Sequence, residues 1–208
     1  MISTHWREPH RPAEHNLRLL DILARHPATA RFISTKLARR FVSDTPPPAL
    51  VDRAAKRFRD SGGDIREVVR TILTSPEFFA AEAYRAKVKT PFEFVVSAVR
   101  ASAAEVDDAT PLAQAVRQLG MPLYMCQPPT GYADRADAWV NTGALLNRMN
   151  FALQLVGNRM RGVRAGTSLA GDALAGDVSS STAATIARAG DPRQTAALTL
   201  GSPEFQRR

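Results

Sequence analysis

DIREVVRTILTSPEFF, residues 64–79, returns near the other end of the chain as DPRQTAALTLGSPEFQ, residues 191–206. In register the two stretches share Asp64/Asp191, Arg66/Arg193, Leu73/Leu200, Ser75/Ser202, Pro76/Pro203, Glu77/Glu204 and Phe78/Phe205. The shared positions are helix punctuation. Aspartate followed three residues later by Glu67 or Gln194 has the spacing of a capping box, with Asp in place of Ser or Thr. Pro192 takes the first helical position, where a missing N–H is no loss. Ile65, Val68, Val69 and Ile72 make one helix face. Ser-Pro-Glu-Phe then stops the helix and is read as capping a short new one, with Phe78 and Phe205 as apolar plugs at the corner. A nucleophilic role for Ser75 or Ser202 is the less economical reading. No histidine neighbours either one, and capping already accounts for the serine. Residues 159–190 do not resemble residues 27–63, so the repeat is local.

Working outward, helical periodicity continues almost throughout. Residues 12–25 space Leu17, Leu20 and Leu23 or Ala24 by three and four. His26 reads as a cap or packing residue before Pro27, which opens a helix with a stripe of Ala30, Ile33, Leu37 and Phe41. SDTPPPAL breaks the pattern. The next helix turns Leu50, Ala54, Ala55 and Phe58 inward and ends at Gly62-Gly63, which accept the left-handed cap conformation. Lys87-Val88-Lys89 reads as extended. Thr90-Pro91 opens a helix with Phe92, Val95, Val96 and Val99 inward, and a helix over about 110–119 ends at Gly120. Residues 120–141, GMPLYMCQPPTGYADRADAWVN, form a long proline- and aromatic-rich loop. Asn141 or Thr142 caps a helix to about Gly157 whose expected face is Leu145, Leu146, Met149, Leu153 and Val156. Past Arg159 the chain turns Gly-, Ala- and Ser-rich and reads as a connector, with some helix near 180–189. No stretch alternates over five or more residues, so a sizeable sheet is not expected. The predicted fold is all-α. It is an irregular multi-helix bundle with a helical domain over 1–158, a flexible connector over 159–180, and a C-terminal helix and corner over 181–208 packing back on it.

Composition narrows the function classes. With 208 residues, 44% of them hydrophobic, the chain can bury a core unaided. The single Cys126 rules out an internal disulfide and any multi-cysteine zinc site. No apolar run reaches the roughly 18 residues of a membrane span. MISTHWREPHRPAEH lacks the apolar core of a secretory leader, which makes the cytoplasm the default location. Residues 1–100 carry 18 Lys and Arg against 11 Asp and Glu, and residues 101–208 carry 10 against 9, so +7 of the net charge of +8 lies in the first half. Lys36, Arg39, Arg40, Arg53, Lys56 and Arg57 are the candidate basic surface, on two neighbouring helices. Such a surface suits phosphates or an acidic partner. Arg outnumbers Lys 24 to 4, however, which also fits a base-composition bias in the gene.

Candidate chemistry is thin. His5, His10 and His15 recur near Glu8 and Glu14, but a spacing of five does not stack on one helix face, and Pro9 and Pro12 interrupt it. Asp134 and Asp137 lie beside Tyr132, Arg135 and Trp139 in the aromatic loop, where a polar pocket with an aromatic wall competes with an ordinary solvated loop. Two carboxylates without a known separation do not specify glycoside chemistry. No cofactor motif is present, and the glycines of GNRMRG and RAGTSLAGDALAG lack a strand–helix context.

HPATARFISTKLARRFV (26–42), the stretch from Pro47 to Phe79, KVKTPFEFVVSAVRA (87–101), the proline–aromatic loop, LLNRMNFAL (145–153) and the terminal SPEFQRR occur together in the order of one family. From about Leu19 onward the chain resembles the bacterial domain of unknown function 1800 family. The resemblance implies a helical fold. It further implies a match to the C-terminal part of longer members, which are often exported and encoded beside another exported family. It supplies no activity. The chain is thus expected to be a truncated product or a free-standing module. Its expected role is a helical scaffold or interaction module without catalysis of its own. Tyr124, Pro128, Pro129, Tyr132, Asp134, Asp137 and Trp139 form the candidate interaction loop, and the partner is a protein, either the N-terminal region of longer members or a neighbouring exported protein. The alternatives are a nucleic-acid or acidic-surface binder, and part of a hydrolase-like enzyme whose site needs that N-terminal region.

Overall fold

The computed structural model describes residues 12–166, 169, 173, 174 and 176–208. It is mostly helical, and the chain divides between Ala83 and Tyr84 into two compact units. Each unit has its own hydrophobic core.

The first unit holds α1 (Pro12–Arg25), α2 (Pro27–Phe41), α3 (Pro48–Asp60) and α4 (Ile65–Leu73). His26 is the cap its position suggests: its side chain accepts the Ala28 N–H at 3.1 Å. Gly62 and Gly63 close α3 at φ 67° and 93°. There the Gly63 N–H donates to the Phe58 carbonyl at 2.8 Å. Helices α2, α3 and α4 pack on one another around Ala30, Ala38, Leu50, Ala54, Phe58, Val68 and Ile72. The expected stripe on α2 is rotated. Ala30, Ser34 and Ala38 are buried, Ile33 and Leu37 are half-buried beside them, and Phe41 is exposed. Small side chains one turn apart let helices approach closely, so here size and not hydrophobicity selects the contact line. Ser34 is fully buried with no partner for its hydroxyl. Helix α1 meets α2, and its Leu17, Leu20 and Leu23 stay exposed.

The repeated phrase resolves here. Asp64 caps α4 by accepting the Arg66 N–H at 2.8 Å. Glu67 does not close a capping box. Its carboxylate is claimed by Arg57 and by Arg70, the latter at 2.6 Å. The bond from Arg57 holds it below the usual carboxylate range. At the corner, the Ser75 hydroxyl donates to the Ile72 carbonyl and accepts the Phe78 N–H. Glu77 takes a two-pronged bond from Arg53 of α3 at 2.8 and 2.6 Å. The expected short helix beyond it is a run of isolated turns. Scattered three-residue bonds do not repay helix nucleation.

The second unit holds α5 (Pro91–Ala101), β1 (Glu105–Val106), α6 (Thr110–Gln118), α7 (Thr142–Val156), β2 (Val163–Arg164), α8 (Ser180–Ile186) and α9 (Pro192–Gly201). Thr90 and Glu93 make a complete capping box at the start of α5. The two short strands pair antiparallel, Glu105 with Arg164 and Val106 with Val163, so the first part of the expected connector is tied down. The rest of the Gly-, Ala- and Ser-rich stretch, residues 167, 168, 170–172 and 175, lies outside the described residues.

Two helix faces differ from expectation. On α5 the buried set is Pro91, Phe94, Val95 and Ala98, with Phe92 and Val96 exposed. On α7 it is Arg148, Phe151, Ala152, Leu155 and Val156, with Leu145, Leu146 and Leu153 exposed. An arginine lies within the α7 face because its charge is satisfied inside the core. Arg148 is 1% exposed. Its guanidinium donates to Gln206 Oε1 and to the Lys89 carbonyl, each at 2.8 Å, and sits 5.1 Å from the Phe94 ring centre. Burial nevertheless pulls its pKa down to about 10.

The second copy of the phrase works as the first does. Asp191 caps α9 through the Gln194 N–H at 2.9 Å. Ser202 accepts the Phe205 N–H at 3.1 Å, and the Phe205 ring meets Phe94 with centroids 6.0 Å apart. Glu204 reaches the start of α8, accepting from the Ser179 N–H at 3.1 Å and the Thr182 hydroxyl at 3.0 Å. Desolvation works to raise this carboxyl, but the hydrogen bonds from Ser179, its own backbone and Thr182 outweigh it and bring the pKa to about 2. Both corner glutamates therefore clamp a neighbouring helix. The chain then runs antiparallel to Lys87–Lys89, which is extended as expected. Val88 bridges Arg207, the Lys89 N–H donates to the Gln206 carbonyl at 2.8 Å, and the Arg208 N–H donates to the Lys87 carbonyl at 2.9 Å.

Candidate interaction surfaces

The aromatic loop is built from its base. Gly120, at φ 93°, ends α6 and lets the Met121 N–H return to the Val116 carbonyl at 3.0 Å. The Tyr132 hydroxyl donates to the Pro122 carbonyl at 2.6 Å, joining the two limbs. The Trp139 indole N–H donates to the Ala133 carbonyl at 2.8 Å, and its ring leans on Tyr132 with centroids 6.1 Å apart. Trp139 is only 8% exposed. The buried Lys87 ammonium donates to the Asp134 carbonyl at 2.8 Å and lies 3.1 Å from its carboxylate, which also faces Arg208 at 3.5 Å. The loop is thereby roped to the same extended pair that the C-terminal phrase builds. Tyr132, Asp134 and Trp139 hold the loop in shape. Asp137 pairs locally with Arg135 at 2.8 Å on the surface, a contact that contributes little.

The tip is different. Tyr124 is fully exposed with φ at 60°, and Leu123, Met125, Pro128 and Pro129 are exposed around it. A tyrosine in the left-handed region costs about 1 kcal/mol or more, and such strain concentrates at functional sites. The Met125 sulfur accepts from the Arg117 guanidinium of α6 at 3.4 Å, a weak contact. Of the seven loop residues singled out from sequence, Tyr124, Pro128 and Pro129 stand at the tip, Tyr132, Asp134 and Trp139 form the base, and Asp137 is peripheral.

The six basic residues lie on α2 and α3, and they are largely engaged. Arg53 is bound to Glu77, Lys56 to Asp60 at 2.5 Å, and Arg57 to Glu67. The Arg39 guanidinium donates to the Asp44 carbonyl at 3.1 Å, Lys36 lies 5.5 Å from the Phe32 ring centre, and Arg40 also has a partner. Three of the six, Arg53, Lys56 and Arg57, are thus paired with carboxylates. His5, His10 and Glu8 lie outside the described residues, as do the side chains of Glu14 and His15. Among the described residues no group of three or more His, Cys, Asp and Glu could hold a metal, and no helix is long and apolar enough to cross a membrane.

One feature escaped the sequence reading. A groove of about 340 Å³ opens beside α6 and α7, floored by Ala115, Leu119 and Phe151 and walled by Gln118, Asn147, Asn150 and Gln154. Asn147, Asn150 and Gln154 follow one another at helical spacing, which is a signal legible in sequence. The opposing Gln118 becomes evident only once α6 is set against α7.

A family model described as a protein of unknown function (DUF1800) matches residues 7–207. The chain belongs to the DUF1800 family. The loop, the C-terminal phrase and the carboxamide groove of this DUF1800 chain all fall inside the matched span. No curated protein and no solved structure matches it.

Proposed function

We propose that this DUF1800 chain is a helical interaction module without catalysis of its own, presenting the tip of its 120–141 loop to a protein partner. What supports the reading is the contrast within one loop. Its base is fixed by Tyr132, Asp134 and Trp139, while its tip offers Leu123, Tyr124, Met125, Pro128 and Pro129 to solvent. Uncharged aromatic and methionine side chains on a preorganised backbone are what binding hot spots are made of, since little ordering entropy is lost on docking. The engaged cations of α2 and α3 favour this surface over an electrostatic one. The test is the double variant Tyr124→Ser/Met125→Ser. Its thermal midpoint stays at the wild-type value, while the partner recovered with the tagged wild-type chain from its native host binds about thirtyfold more weakly or is lost. Equal affinity of both chains for that partner overturns the proposal. Binding that depends on salt and ignores the tip variants does so too.

A further inference from the structure

We propose that the carboxamide groove beside α6 and α7 is a receptor for an extended, uncharged peptide segment. This site is independent of the loop tip. Asn147, Asn150 and Gln154 stand at i, i+3 and i+7 on α7, and Gln118 faces them from the last turn of α6. All four are exposed, and none of these side chains has a partner among the described residues. Asparagine inside a helix is less favourable than alanine. The two in α7 therefore carry a helix cost that no bond within the chain repays. Their position is better explained by something they bind.

The chemistry of the walls selects the ligand. Among the described residues no ionisable side chain lines the groove, so these offer neither a counter-charge for an ion nor an acid or base for catalysis. Each carboxamide brings two donors and an acceptor, the complement of a peptide backbone with its alternating N–H and C=O. The bases of single-stranded nucleic acid need an open aromatic face to stack on. Phe151, the aromatic floor, is only 4% exposed and offers no such face. From Asn147 to Gln154 the helix rises about 10 Å, the reach of about three residues of extended chain. The narrow apolar floor of Ala115 and Leu119 accepts small side chains. Because both walls are helical, the carboxamides project from backbone positions at fixed spacing before the ligand arrives.

The test is a titration of the uniformly 15N-labelled full chain, read at its side-chain NH2 signals. The probes are five capped pentapeptides, acetyl-Ala-Ala-X-Ala-Ala-amide with X as Gly, Ser, Val, Pro or Leu, and cellopentaose as the neutral glycan. Backbone-directed binding predicts that several of the peptides shift the signals of Gln118, Asn147, Asn150 and Gln154 together, saturating at a Kd of about 1 mM. The double variant Asn150→Leu/Gln154→Leu keeps the remaining spectrum and weakens binding by about tenfold or more. The proposal is overturned if no peptide shifts these signals by about 10 mM, if cellopentaose shifts them and the peptides do not, or if the double variant binds as the wild type does.

Discussion

Replacing Arg148 with alanine deprives a buried acceptor, Gln206 Oε1, and a half-buried one, the Lys89 carbonyl, of their donor, each now bonded at 2.8 Å. An orphaned buried acceptor costs about 1–3 kcal/mol. The void beside Phe94 adds about 2 kcal/mol. Removing a desolvated guanidinium returns part of this, because its depressed pKa records the strain of holding that charge in the core. The net loss is about 3–5 kcal/mol, the range for breaking a buried charged contact. Arg148→Met fills most of the space and sheds the desolvated charge, whose release offsets part of the two unmade bonds, so it costs about 1–3 kcal/mol. Leu146→Ala is the control: Leu146 is 60% exposed, so its truncation stays within about 0.5 kcal/mol. The assay is urea unfolding followed by Trp139 fluorescence in a Trp6→Phe background, since Trp139 is buried in the same unit. Arg148→Ala lowers the midpoint by about 1 M or more and Leu146→Ala leaves it in place. A Leu146→Ala loss as large as that of Arg148→Ala would refute the packing described for α7.

Three further outcomes follow from polar groups wholly or partly removed from water. Ser34→Ala removes a buried hydroxyl without a partner and improves helix propensity, so it stabilises the first unit by about 1 kcal/mol in thermal unfolding. The Lys89 ammonium lies 3.9 Å from the Phe205 ring centre, and burial, with Arg85 and Arg148 nearby and Glu93 opposing them, lowers its pKa to about 8. The unfolded chain therefore holds more protons between about pH 8 and 10.5, so wild-type stability relative to Lys89→Met rises across that window. A flat difference there refutes the burial of this amine. Glu204, with its carboxyl brought from the ordinary 4.5 to about 2, contributes stability that is present above pH 4.5 and lost as pH falls toward 2. Glu204→Gln removes that acid-dependent part, and its stability runs flatter than the wild type between pH 4.5 and 2.

What was legible in the sequence is what neighbours decide. Pro27, Thr90-Pro91, Asn141 and Asp191 each set a helix start within four residues, and each starts or caps a helix in the structure. The Ser-Pro-Glu-Phe corners were readable for the same reason, although the use of Glu77 and Glu204 as clamps on α3 and α8 was not. Helix faces depend on distant partners. Arg148 reads as surface until Gln206, Lys89 and Phe94 surround it, and Ser34 reads as polar until α3 presses against a line of small residues. In the loop, sequence marked the extent and the aromatics, but it could not tell that Trp139 turns inward to Ala133 while Tyr124 turns out. The carboxamide groove was missed because Asn and Gln count as ordinary polar surface, and only the facing of two helices makes four of them a wall.

The most direct measurement is photo-crosslinking from position 124. A benzophenone amino acid replaces Tyr124 in the chain expressed at native level in its own host, with position 105 in exposed β1 as the control. The account predicts a discrete protein adduct from position 124 that is absent from position 105 and disappears when Met125→Asp is added. No adduct from position 124, or the same adducts from both positions, would contradict the loop tip as the interaction surface.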